Sequence, residues 1–238
     1  MARKTRKGLP WFRVVILCLI LLAVVPVLEV LYVRFFNPPI TTLMVFRSIE
    51  AMITKRYRGD IHYRWIPLDR VPDDFLDGVW QMEDSRFFIH GGFDWIEMEK
   101  AIHRAEEKHR PVQGVSTITN QCARSLFLWQ GRSWIRKGFE AYYTFLMEHI
   151  LTKERILELY VNVIELGDGI YGIEEAADHY YHLPAKELSR SECAMLAAML
   201  PFPRGWDPHN PSPRLRARYN IVVRRMNAGG PIERKLRE

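Results

Sequence analysis

Residues 72–83 read PDDFLDGVWQME. Pro72 suits the first turn of a helix, and Leu76, Trp80 and Glu83 then fall at i, i+4 and i+7, on one helical face. A carboxylate thus continues an apolar stripe, an unusual place for glutamate. The same period runs through the C-terminal half of the chain. Thr152 reads as the cap of a helix running to Leu166, with Ile156, Leu159, Tyr160 and Val163 on its apolar face and Gly167 as its stop. Ser189-Arg-Ser-Glu192 is a capping box opening an apolar helix that ends before Pro201. Pro201 to Pro213 is proline-rich and reads as an irregular wrap. A basic helix runs from about Pro213 to Met226, its arginines forming either a solvated face or a contact for anionic lipid. Strand signals are sparse, so the fold class is mainly α.

Upstream, Val14 to Val33 reads VVILCLILLAVVPVLEVLYV, about 20 apolar residues, long enough to cross a ~30 Å hydrocarbon core as a helix. Arg3, Lys4, Arg6, Lys7 and Arg13 precede it, so the positive-inside bias puts the N-terminus in the cytoplasm and exports the rest. The long apolar run without a small-x-small site favours an anchor over a cleaved signal. Glu29 and Pro26 interrupt the span. Glu29 lies near its outer end, where it is expected to reach headgroups or be protonated. Asn37-Pro38-Pro39 ends the span. Thr42 to Tyr57 is then an amphipathic segment, and His62 to Pro67 reads as extended. The organisation expected is a cytoplasmic basic tail (1–13), a transmembrane helix (14–36), a juxtamembrane segment (37–69) and one catalytic domain (70–238).

At 238 residues the chain holds one anchor and one domain of ordinary size, with no room for a second catalytic domain. A formal charge of +6 and a pI near 9.3 favour anionic partners without choosing among them. Cys18, Cys122 and Cys193 are too scattered for a disulfide framework or a zinc site, and Cys122 and Cys193 read as buried free thiols rather than a bridge.

No Ser-x-x-Lys, Lys-Thr-Gly, Gly-x-Ser-x-Gly, His-Glu-x-x-His or Walker-type loop is present, so serine acylation and P-loop chemistry lack support. Asp178, His179 and His182 offer two histidines on one helix face but no evident third ligand. Polar groups concentrate instead between Glu83 and Glu140. Glu83 and Asp84 stand beside His90 and a glycine turn; Ser116, Thr117, Thr119, Asn120 and Gln121 form a hydroxyl and amide run; Arg124, Arg132, Arg136 and Lys137 supply cations; and Glu140 is a second acid. Paired carboxylates with a cationic clamp are the parts needed to move a sugar away from a phosphate leaving group.

At these residues the sequence resembles the peptidoglycan glycosyltransferase family, specifically its monofunctional biosynthetic transglycosylase members. The likeness covers roughly Arg70 to Met226 in five ordered motifs. These are Glu83-Asp84-x-x-Phe87-x-x-His90-x-Gly92-x-Asp94, then Gly114-x-Ser116-Thr117-Ile118-Thr119-x-Gln121, then Arg136-Lys137-x-x-Glu140. Ile156-Leu157-Glu158-x-Tyr160-x-Asn162 through Gly167 and Gly172 is the fourth, and Leu188-x-x-x-Glu192-x-Ala194-x-Leu196-Ala197 the fifth. The resemblance implies a lysozyme-like α-helical head lobe with a small membrane-associated jaw lobe. It also implies lipid II as substrate and a monofunctional enzyme without the peptide-crosslinking domain.

By that likeness Glu83 is the general base and Glu140 the second essential acid, with Asp84, Ser116, Thr117, Gln121, Arg124, Arg132, Arg136 and Lys137 binding substrate. Glu83's apolar stripe is expected to make it a better base than a solvated carboxylate. His90 and Asp94 are expected to hold the Glu83 loop, and Glu158, Tyr160 and Asn162 to brace the cleft. Arg124 stands where the family usually has lysine, exchanging a point cation for a planar fork. Asn120 replaces the usual first glutamine and shortens an amide expected to face substrate. A divalent cation, Mg or Mn, would suit the pyrophosphate, but the sequence shows no dedicated cage. The partners expected are lipid II and the growing glycan strand, the bacterial inner membrane, and cell-wall synthesis and division proteins, with no nucleic acid. Phe127 to Arg136 mixes aromatics with arginines as an interfacial membrane contact would.

Overall fold

Side-chain caps set most of the helix starts. In the computed structural model, which describes residues 11–55, 60–112, 116–131, 133–229 and 232, Thr41, Asp94, Thr117, Thr152, Ser189 and Ser212 each accept a backbone N–H from the first turn of the adjoining helix. Such caps satisfy donors that the helix leaves unpaired. The helices are α1 (Trp11–Phe35), α2 (Thr42–Thr54), α3 (Asp73–Glu83), α4 (Trp95–Glu107), α5 (Ile118–Phe127), α6 (Trp134–Ile150), α7 (Lys153–Val163), α8 (Ile173–Tyr181), α9 (Arg190–Met199) and α10 (Pro213–Ala228). The capping box at Ser189 forms as read, and Thr117 with Asn120 makes another at the start of α5.

A small sheet joins β1 (His62–Tyr63), β2 (Glu165–Gly167) and β3 (Ile170–Tyr171) in the order β1-β3-β2, with β1 parallel and β2 antiparallel to β3. It corrects one expectation. The helix from Thr152 stops at Val163, not Leu166, because Ile164 turns extended and Glu165 to Gly167 pair with β3. Gly167 is therefore a strand residue. Gly172 makes the turn into α8 at φ 79°, where a Cβ would lie 2.5 Å from the carbonyl oxygen of Asn162, so a side chain there is excluded.

Two helical units share one core. In the first, α3 packs on both α9 and α10; in the second, α5 packs on α6 and α7. Phe75, Leu76, Val79, Ile118, Cys122, Ile156, Leu159, Tyr160, Leu196 and Val222 are all but fully buried where these helices meet. Cys122 and Cys193 are free, buried thiols.

Helix α1 is long and apolar enough to cross a membrane, yet it is not a loose tether. It packs on α6, where the Tyr142 hydroxyl donates to the Ala23 carbonyl at 2.9 Å and the Tyr143 hydroxyl donates to the Glu29 carboxylate. Glu29 thus faces the folded domain, which replaces the expectation that it reaches headgroups. Arg155 of α7 closes the end of α1, donating to the carbonyls of Val33 (2.9 Å) and Phe36 (3.0 Å) and to Asn37 Oδ1 (2.9 Å). A cation on the last carbonyls of a helix meets both their unpaired acceptors and the negative end of its dipole.

Gly78 sets the closeness of α3 to its neighbours: a Cβ there would lie 3.0 Å from Ala197 Cβ, with Met226 Sδ and Val222 Cγ1 at 3.5 Å. Ala197 is fully buried and has no rotamer to yield. Alanine's better helix propensity is outweighed by this crowding, so Gly78→Ala should lower stability by roughly 1 kcal/mol and Gly78→Val by roughly 3 kcal/mol. Chemical denaturation of the two variants measures both.

Candidate active site

Glu83 is the last residue of α3, and the helix ends before its apolar stripe closes over the carboxylate. Leu76 and Trp80 enter the core. Glu83, 15% exposed at its side chain, meets polar partners instead of the apolar surroundings the stripe suggested. Arg218 Nη2 donates to its Oε1 at 2.6 Å and Gln121 Nε2 to its Oε2 at 3.0 Å. Arg218 is itself steadied by donating from Nε to the Ala198 carbonyl at 3.1 Å. The Tyr160 hydroxyl donates to Gln121 Oε1 at 3.2 Å. Burial, and then the negative charge of Glu83, push the Tyr160 phenol well above its usual range. It stays a donor, and this fixes the Gln121 amide with its NH₂ toward Glu83.

Several residues expected to touch substrate hold the site together. The Asp84 carboxylate is buried, takes His90 Nε2 at 2.9 and 3.0 Å, and accepts the Ile118 N–H at 3.1 Å. Thr117 caps α5 and donates to the Gly92 carbonyl at 2.8 Å. Asn120 is buried, donating to Thr144 Oγ1 at 2.8 Å. The shorter amide at Asn120 therefore faces the interior and α6, not substrate. Asn162 braces as expected of its motif, bonding both the N–H (2.9 Å) and the carbonyl (2.8 Å) of Ile66.

Among the described residues, Asp84, His90 and Asp94 bring ligand-type atoms within 4.8 Å of one another. Their donor set does not fit a divalent ion. His90 Nδ1 accepts the Gly92 N–H at 3.1 Å while Nε2 bonds Asp84, and Asp94 caps α4 through Oδ1 (3.0 Å) and pairs with Arg86 through Oδ2 (3.0 Å). With both imidazole nitrogens and these carboxylate oxygens already engaged, the trio is a clamp on the loop after Glu83.

Glu140 lies in α6, fully buried, under three cations: Lys137, Arg136 Nη1 at 2.5 Å and Arg124 Nη1 at 3.9 Å. Burial pushes its carboxyl up, but Lys137, Arg136 and Arg124 together outweigh that and hold it below the ordinary value. One anion under three cations leaves a positive surplus, with Lys137 half exposed and Arg124 about a third exposed. Gln121 and Arg124 lie one turn apart on α5, the first touching Glu83 and the second nearing Glu140. The two carboxylates are thus joined through a single helix face. Arg132 lies outside the described residues, as does Gly114 of the second motif.

A cavity of about 540 Å³ opens beside Glu83. Ser116 lines it, its Oγ buried without a hydrogen-bond partner among the described residues. Arg104 of α4 and Arg225 of α10 also line it. Arg104 carries no signal in the sequence, and Arg218 and Arg225 read there only as part of the basic helix, as a solvated face or a contact for anionic lipid. Arg218 stands one turn after the buried Leu215 and is only partly exposed, the usable signal that it lies beside the packed face of α10; Arg225 is exposed and reaches back to the Gln81 carbonyl at 2.8 Å.

A carboxylate at the end of one helical unit is thus linked through α5 to a cationic cluster on the other. The profile of the transglycosylase family matches residues 50–227, and the chain belongs to that family. It is similar to the biosynthetic peptidoglycan transglycosylase of Xylella fastidiosa (strain 9a5c), 40% identical over 216 residues, covering 90% of this chain and 88% of that one. The protein of the same name from Xanthomonas campestris pv. campestris (strain B100) is 42% identical over 230 residues, 96% and 92% of the two chains. That from Bdellovibrio bacteriovorus is 42% identical over 197 residues, 83% and 78%.

Because the folded state depresses Glu140, its contribution to stability is complete above the ordinary glutamate value, about 4.3, and is lost as pH falls through the lower folded value. Glu140→Gln should lower the thermal midpoint by roughly 5 °C at neutral pH and lose less further stability than the parent on acidification. Thermal melts at neutral and acid pH read both effects.

Proposed function

We propose that this chain is a peptidoglycan glycosyltransferase that polymerises lipid II into β-1,4-linked glycan strands with inversion, releases the polyprenyl pyrophosphate, and has no transpeptidase activity. The observation that carries the reading is the pairing across α5: a carboxylate held by Gln121 at one end of the helix face and a surplus of positive charge around Glu140 at the other. The names of its relatives agree with the substrate class.

In this mechanism the acceptor sugar's 4-hydroxyl approaches Glu83. Gln121 and Arg218 fix both carboxylate oxygens in place, so the base meets its proton without first reorganising. The hydroxyl oxygen bonds to the donor's anomeric carbon as the bond to pyrophosphate breaks, and the proton passes to Glu83. Arg124 and Lys137, already oriented by Glu140, meet the negative charge that grows on the departing pyrophosphate, where preorganised cations contribute most. Glu140 acts by holding those cations, and Arg136 is largely consumed in neutralising it. Helix α1 serves as a single-pass anchor in the cytoplasmic membrane, with the N-terminus cytoplasmic and the catalytic domain on the outer side, where lipid II presents its sugars.

In a lipid II polymerisation assay Glu83→Gln should keep the fold and lose about 10²- to 10⁴-fold in rate; near-parental strand synthesis by that variant sinks the assignment. Arg218→Met should lower kcat by about tenfold while leaving KM within about twofold, because the carboxylate loses one of the two groups that orient it. Arg218→Lys should restore part of the lost kcat.

A further inference from the structure

Helix α1 carries a single acid, Glu29, in an otherwise apolar stretch. It stands six residues before the end of α1 at Phe35, roughly 9 Å along the helix. An ionisable side chain in such a helix is costly unless it is paired, so its partner is informative. Val30 and Val33 beside it are buried against the domain, and its carboxylate accepts the Tyr143 hydroxyl of α6. Burial, and then the bond to Glu29, push the Tyr143 phenol far above its ordinary range, so the hydroxyl remains a donor.

The bond leads toward the cationic cluster. The Tyr143 ring is stacked on Phe127, the last residue of α5, with centroids 4.5 Å apart and planes 12° apart. Helical side chains lean toward the start of their own helix, so Phe127 is carried back toward Arg124 and Tyr143 toward Glu140. The stack thus lies beside the contact between those two residues. That contact is the one most sensitive to the spacing of α5 and α6. Arg136 and Lys137 reach Glu140 from within α6, the former at 2.5 Å, whereas Arg124 comes from α5 and stands at 3.9 Å. Phe127 and Glu29 also line one apolar cavity of about 570 Å³. The ring has room to shift there unless Tyr143 holds it.

We propose that Glu29 is a positioning residue for glycosyl transfer: by fixing Tyr143 against Phe127 it sets the spacing of α5 and α6 that brings Arg124 to Glu140. Helix α1 then contributes to the chemistry without touching substrate. The inference rests on the proposed role of Arg124 at the departing pyrophosphate. Because that charge develops as the bond breaks, the loss on removing Glu29 falls on kcat and not on binding.

The test follows lipid II polymerisation by the full chain in detergent micelles, comparing the parent with Glu29→Leu, Glu29→Gln, Tyr143→Phe and Tyr142→Phe. Tyr143→Phe keeps the stacked ring and deletes only the hydroxyl. Tyr142→Phe deletes the neighbouring bond from α6 to α1, on the Ala23 carbonyl at 2.9 Å, and leaves the Phe127 stack alone. Glu29→Leu and Tyr143→Phe should each lower kcat by about fivefold with KM within about twofold, and the double variant should lose no more than either alone. Glu29→Gln, whose amide oxygen still accepts the hydroxyl, should keep most of the rate. Tyr142→Phe should stay within about twofold of the parent. Parental kcat in both Glu29→Leu and Tyr143→Phe overturns the proposal, as does a change confined to KM. An equal loss in Tyr142→Phe shows that the two bonds merely dock α1 and also overturns it. If Glu29→Leu does not fold, Tyr143→Phe and Glu29→Gln carry the same comparison. A parent that polymerises no lipid II overturns the proposed function first, and this inference with it.

Discussion

The Asp84 carboxylate is the joint on which the site depends. It stands at the C-terminal end of α3 and accepts the first N–H of α5, so the end of one helical unit is pinned to the start of the other. The imidazole of His90 fills its remaining valence and ties in the loop between them. A buried carboxylate is stable only when its acceptors are matched in this way. With the joint in place, Glu83 and Gln121 meet with no further adjustment, and the 3.0 Å bond between them is a product of the packing of α3 and α5.

The same principle separates the two acids. Glu83 is left at the mouth of a cavity with partners that orient it, whereas Glu140 is sealed under cations that cancel it. Two glutamates of one chain thus acquire different surroundings, one open to a cavity and one arraying positive charge about itself. Neither assignment can be read from the residue type.

Much of this was legible in the sequence. The helical period, the cap residues and the apolar N-terminal run are local properties, and they placed most of the helices and the unusual Glu83. The basic run before Glu140 likewise announced a cationic cluster. What escaped was set by contacts distant in the chain. Arg218 reaches Glu83 from 135 residues away, and a run of arginines reads as a wet surface unless the partner helix is known. Asp84 and Thr117 line the cavity beside Glu83 and also hold the site together through His90 and Gly92, a second task that crowding of polar residues in a motif does not reveal; Asn120 turns inward, to Thr144. The end of α7 was misplaced because a three-residue strand is too short to leave a period of its own.

The capped end of α1 changes how the protein meets its surroundings. A flexible stalk would let the domain tumble above the membrane and present its cleft at every angle. With Arg155 on the final carbonyls of α1 and Tyr143 on Glu29, α1 and the domain are joined as one body. On the proposed reading of α1 as the anchor, such a body drifts sideways and spins about the membrane normal but resists tipping. A collision in the plane with a lipid-borne partner is then already close to a correctly posed encounter.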